Sequence, residues 1–213
     1  MLSTSFHPLD RALGGGLRGG NIYLVYGEAG SGKTLLSVKV ACSASRIGEV
    51  FFMDPLGTLH PELLNRVFEY GEGKLENVNV IIPSSFGKQT ALLEELVGRG
   101  MTALIIDDIC ALYRAELIKK GAFDLSKELN RQMGLVKQIC LKANCPALVT
   151  SQVHSRPSGE VEPPSWRVLR HWSDYVIRLA RRASVISAWV EKPFKTRVFL
   201  NLSEAVSYTH LRA

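Results

Sequence analysis

Apolar residues come in short unbroken runs along the first three quarters of the chain, at 22–26, 50–54, 79–82, 103–107 and 147–152. Runs of this length without polar alternation predict strands buried on both faces, as in a parallel sheet. Between them the apolar positions recur at helical spacing. Helices are expected over 35–41, over 61–70 with Pro61 in the first turn, over 88–99 with Leu92, Leu93, Leu96 and Val97 facing inward, and over 125–142. Strand and helix in regular alternation predict an α/β domain whose ligands bind at the C-terminal ends of the strands. The last part of the chain has a different rhythm: 174–179, 183–190 and 196–202 alternate as antiparallel strands of a meander. Ahead of the first strand, a helical turn at 9–13 runs into Gly14-Gly15-Gly16 and then Gly19-Gly20, which predicts a tight reversal against other backbone. The organisation expected is one domain over 1–207, with 208–213 a frayed tail.

Composition narrows the setting. With 213 residues, 46% apolar and 22% charged, the chain is an ordinary globular protein. No stretch approaches the ~18 uninterrupted apolar residues of a membrane span, and 1–8 has no basic region followed by an apolar one, so a cytoplasmic protein is expected. Cys42, Cys110, Cys140 and Cys145 lie in apolar segments without a C-x-x-C pair and read as packing thiols. The net charge of +6 makes an anionic partner plausible. Most of that excess is local: between 156 and 197 nine basic residues face four acids. The segment 154–166, with Pro157, Ser158, Gly159, Pro163 and Pro164, suits neither helix nor strand and is expected to be a functional loop.

The chemistry begins at Gly27-Glu28-Ala29-Gly30-Ser31-Gly32-Lys33-Thr34, which fits G-x-x-x-x-G-K-[ST] at every fixed position, between an expected strand and an expected helix. Glycines there let successive backbone N–H groups converge on phosphate oxygens, and the helix N-terminus adds its positive end. Residues 27–34 and Leu35 are therefore expected to bind a nucleoside triphosphate, with Lys33 reaching the β- and γ-phosphates and Thr34 ligating Mg²⁺. The run 103–107 delivers a carboxylate at its C-terminal end, and Asp107 is expected at the same Mg²⁺ ion. Asp108 is expected to point elsewhere, capping the next helix or positioning a water. Gln152, ending the fifth strand, can hydrogen-bond a γ-phosphate or attacking water and relay its state to the loop that follows.

These pieces in this order resemble the RecA-like recombinases, most closely the RadB-type paralogs of archaeal RadA. The resemblance rests on Leu9-Asp10 with Gly14-Gly15-Gly16, the phosphate loop, Pro83-Ser84-Ser85-Phe86, Asp107, Tyr113-Arg114-Ala115-Glu116, Arg131-Gln132 and Gln152-Val153-His154. It implies a RecA-like P-loop NTPase core that binds ATP and Mg²⁺, takes part in DNA repair and homologous recombination, and binds single-stranded DNA through two loops. Carried over, these are 114–123, with Arg114, Lys119 and Lys120, and 154–166, with His154 and Arg156; Arg167 and Arg170 follow as further DNA-binding candidates.

One departure matters. Where the family has Asp-Thr-Glu-Gly, this chain has Asp54-Pro55-Leu56-Gly57, so leucine replaces the glutamate that activates water. A general base contributes roughly 10²–10⁴ in rate, so weak hydrolysis is expected, with Glu28 a substitute base. No Phe-x-x-Ala segment of the kind used for polymerisation is present, which predicts a monomer or small oligomer that assists the main recombinase. Two other readings remain open at this stage. One is a self-sufficient, filament-forming DNA-dependent ATPase in which Lys192 and Lys195 act in trans on a neighbour's γ-phosphate. The other is a KaiC-like signalling ATPase or P-loop kinase.

Overall fold

The computed structural model describes residues 1–117, 122–153, 162–183 and 185–201. In chain order the elements are α1 (His7–Ala12), β1 (Ile22–Gly27), α2 (Lys33–Ser45), β2 (Val50–Met53), α3 (Pro61–Gly71), β3 (Val78–Ile81), α4 (Phe86–Leu96), β4 (Ala103–Ile106), α5 (Ala111–Glu116), α6 (Ala122–Ala143), β5 (Ala147–Gln152), α7 (Trp166–Trp172), β6 (Tyr175–Arg182), β7 (Val185–Lys192) and β8 (Thr196–Asn201). The strands form one sheet in the order β3-β2-β4-β5-β1-β6-β7-β8. From β3 to β6 every neighbouring pair is parallel, and β6, β7 and β8 pair antiparallel as the meander.

The unbroken apolar runs have the cause the sequence suggested. Along β1, Ile22, Leu24 and Tyr26 enter the core beneath α4, α6 and α7, while Tyr23 and Val25 enter the core beneath α1, α2 and α3. Both faces of each central strand are buried, so no polar position is left to alternate. The glycine-rich reversal also holds: Leu2 and Leu17 exchange backbone hydrogen bonds, and a Cβ on Gly16 would sit 2.4 Å from the Leu2 carbonyl oxygen. Asp10 ties the N-terminus down, accepting from the Ser3 and Thr4 hydroxyls and the Thr4 N–H.

Among the differences in helix boundaries, three bear on the site. α4 begins at Phe86 rather than 88 and ends at Leu96, because the Ser85 hydroxyl accepts the Lys88 N–H as N-cap. α5 occupies 111–116, so its second half takes up the first residues of the stretch 114–123 expected as the first DNA loop. α7 starts at Trp166, with Ser165 as N-cap just after Pro163 and Pro164, so the segment expected as loop to 166 ends in helix. The tail 208–213 lies outside the described residues, as does 202–207.

Candidate nucleotide site

The phosphate loop is shaped by close backbone approach. Gly27 ends β1 so near β6 that a Cβ would meet the Leu179 carbonyl oxygen at 2.3 Å. Gly32, the N-cap of α2, has φ 100°, the region open to glycine, and a Cβ there would strike Ile186. Gly27→Ala is expected to destabilise by about 3 kcal/mol through overpacking and to lower Tm by roughly 6–12 °C in a thermal melt; an unchanged Tm would count against this packing.

Lys33 is folded back onto the loop. Its Nζ donates to the carbonyl oxygens of Gly27 (2.9 Å) and Glu28 (2.8 Å) and, at 3.4 Å, to the Ser31 hydroxyl, and only 8% of the residue is exposed. Burial lowers its pKa, opposed by the nearby carboxylates of Asp108 and Asp107. Thr34 follows at the start of α2, with its hydroxyl near enough to the Asp107 carboxylate to lower the pKa of that acid. Asp107 also accepts the Thr150 hydroxyl from the neighbouring strand. Burial is the main cause that raises the Asp107 pKa, countered by these two hydroxyls. A threonine hydroxyl beside a buried carboxylate is the hard-oxygen donor set that suits Mg²⁺, so Thr34 and Asp107 fit that ion together.

Asp108 turns away from this pair, as expected of a residue outside the strand. Its Oδ1 accepts the Cys110 N–H (2.7 Å) at the N-cap of α5, and its Oδ2 accepts both the Gln152 N–H (2.8 Å) and Arg114 Nη2 (2.9 Å). Gln152 stands in register with Gly27, and the Val153 N–H donates to the Gly27 carbonyl oxygen. The phosphate loop, the acidic turn after β4 and the end of β5 are thereby one hydrogen-bonded unit.

A cleft of about 450 Å³ opens on the other side of the loop, lined by 27–31 and by Arg178, Arg181 and Arg182 of β6. Glu28 lies exposed on its rim. These three arginines escaped the sequence reading, because only the sheet order brings β6 alongside β1. Thr150 escaped it too, being one residue in an apolar strand. Leu56 stands 54% exposed in the turn after β2, which the Gly57 N–H closes on the Asp54 carbonyl oxygen.

The DNA-binding candidates divide. Arg114 lies in α5 rather than in a loop and is paired with Asp108, its side chain 21% exposed. Arg167 and Arg170 are exposed on α7, and Arg170 lies over the Trp166 ring at 5.6 Å. Lys119, Lys120, His154 and Arg156 lie outside the described residues. Of the two lysines assigned to act in trans, Lys192 bonds within its own chain, donating to the carbonyl oxygens of Ser173 (2.5 Å) and Arg170 (3.4 Å) at the end of α7. Lys195 is exposed in the turn between β7 and β8. The anchors flanking the two expected loops touch each other: the Tyr113 hydroxyl meets Ser126 Oγ at 3.2 Å, and Ser126 Oγ meets Ser165 Oγ at 3.0 Å.

With this geometry in hand, comparison with known proteins is decisive at one point. The sequence matches the Rad51 family over residues 1–168. The chain belongs to the Rad51 family. This Rad51-family chain is 30% identical over 183 residues to the DNA repair and recombination protein RadB of Methanosphaera stadtmanae, covering 81% of this chain and 78% of that protein. It is 33% identical over 171 residues to RadB of Thermococcus kodakarensis, covering 77% and 76%. Its fold is similar to the crystal structure of the RadB recombinase, with a TM-score of 0.79 and 27% identity over 96% of this chain and 97% of that one. The core is therefore RecA-like, as the motif order implied. Among the described residues no helix is long and apolar enough to cross a membrane.

Proposed function

We propose that this Rad51-family protein is a RadB-type accessory protein of DNA repair and recombination that uses ATP as a conformational ligand. The observation that carries the reading is the hydrogen-bonded unit around Asp108. It joins the start of the phosphate loop to Gln152 at the mouth of one expected DNA loop and to α5 at the mouth of the other. Residues 27–35 hold the triphosphate, with Lys33 released from the Gly27 and Glu28 carbonyl oxygens to reach its β/γ end. Thr34 and Asp107 hold Mg²⁺, whose charge offsets that of the phosphates. Gln152 reports the γ-phosphate to the segment that follows it.

Hydrolysis is weak in this reading, because Leu56 offers no base; Glu28, exposed at the cleft rim, is a distant substitute. Single-stranded DNA binds through the basic loops, and the main recombinase is the protein partner of a monomer or small oligomer in the cytoplasm, at the nucleoid.

Two measurements test it. Binding of a fluorescent ATP analogue is expected in wild type and is expected to weaken at least ~100-fold in Lys33→Ala, since the lysine is the one cation seated in the loop; equal affinities would remove the nucleotide site. Affinity for a labelled oligo(dT) is expected to fall steeply between low and high salt, because counterion release drives it. A flat salt response would overturn the basic-loop reading.

A further inference from the structure

The C-terminal meander exposes a face that reaches beyond the nucleotide site and touches the phosphate-loop cleft through Arg178. Ile177, Leu179, Ile186, Ala188, Val190 and Leu200 are buried toward α1 and α2. Alternation therefore turns Arg178, Trp189, Arg197 and Phe199 to the opposite face. On that side α6 and α7 pack on β5 and β1. Beyond β1 the face stays accessible: Trp189 and Arg178 are half-buried, Arg197 is exposed, and Phe199 is 56% exposed.

Register lines these residues up. Tyr26 pairs with Arg178, Arg178 with Trp189, and Trp189 with Arg197, one row across β1, β6, β7 and β8. Guanidinium and ring alternate along it. Arg178 lies 5.6 Å and Arg197 4.7 Å from the Trp189 ring, and Arg197 lies 4.6 Å from the Phe199 ring. At the inner end the Tyr26 ring meets Trp166, the last residue of the second expected loop, at 5.2 Å. The nearby acid, Glu191, accepts the Tyr26 hydroxyl at 2.9 Å.

We propose that this row is a stacking platform for single-stranded nucleic acid, distinct from 114–123 and meeting the expected loop 154–166 at Trp166. Arginines seated over rings are already ordered and, apart from the Arg197 Nη2 that donates to Ser187 Oγ at 3.2 Å, can turn N–H groups to phosphate oxygens at little further entropic cost. A phenylalanine more than half exposed on an open sheet face adds nothing to the core, but it offers a π-face to any base regardless of sequence. Three strand intervals span about 14 Å, room for about four bases at the ~3.4 Å stacking rise. The cationic row suits a polyanion and disfavours a second copy of this basic chain.

The inference rests on the single-stranded DNA reading, and one experiment separates the two. A labelled 30-mer oligo(dT) is titrated into wild type and into Arg197→Ala/Phe199→Ala, with nucleotide-analogue binding as the fold control, and the complexes are UV cross-linked and mapped by mass spectrometry. The expected result is a roughly tenfold weaker complex for the double variant, a salt slope smaller by about one, and wild-type cross-links within 185–199. Unchanged affinity with cross-links confined to 114–123 and 154–166 overturns the platform and leaves the loop reading standing. No binding by wild type overturns both. A double variant that changes oligomeric size and leaves DNA affinity intact overturns the platform in favour of a contact between copies.

Discussion

Leu56→Glu is expected to raise steady-state ATP turnover about 100-fold, the lower end of what a positioned general base contributes. The site accepts the change. Leu56 is 54% exposed in a turn held by its neighbours: the Gly57 N–H donates to the Asp54 carbonyl oxygen, and the Leu59 N–H donates to Asp54 Oδ2 at 2.7 Å. A glutamate there displaces no packed atom, so a rate change reports chemistry and not a disturbed fold. Leu56→Gln, equal in size and without a base, is the control and is expected to leave turnover near wild type. Brisk wild-type turnover, or a glutamate variant no faster than the glutamine one, would mean that the base lies elsewhere and that this chain is no nucleotide-switched accessory protein.

Asp107→Asn is expected to move stability and activity in opposite directions. Desolvation raises the Asp107 pKa, so the folded protein holds that proton more tightly than the unfolded chain does. The charged carboxylate therefore lowers stability progressively as pH rises through the ordinary carboxylate range, and the loss is complete above the raised folded value. The amide keeps an acceptor for Thr150 and Thr34 and carries no charge. Tm of the nucleotide-free protein at neutral pH is expected to rise by a few degrees, with a flatter pH dependence above the carboxylate range. Magnesium-dependent tightening of ATP-analogue binding is expected to disappear. A variant that melts lower and still responds to Mg²⁺ would place the ion elsewhere.

What could be read beforehand follows physical lines. The phosphate loop and Asp107 were legible because their chemistry is local: glycines, a lysine and a threonine at fixed offsets, and an acid ending an apolar strand. Arg114 was misplaced because α5 has six residues, too few for a helical period to be counted, and because its partner Asp108 sits beyond a turn whose direction no pattern reveals. α7 was hidden behind two prolines that read as loop. Lys192 was a candidate to act in trans, yet it reaches the carbonyl oxygens that end α7 in its own chain, a contact that only the tertiary fold reveals. The arginines of β6 became neighbours of the phosphate loop only when the sheet order set β6 beside β1. The start of α4 was visible all along in Ser85, which carries the N-cap hydroxyl.

The three hydroxyls of Tyr113, Ser126 and Ser165 act as a clasp. Tyr113 belongs to the helix before 118–121, Ser126 to the helix after it, and Ser165 to the far bank of 154–161. Two segments well apart along the chain thus spring from one mooring. Removing the Ser126 hydroxyl, the middle member of the three, would therefore loosen both roots at once.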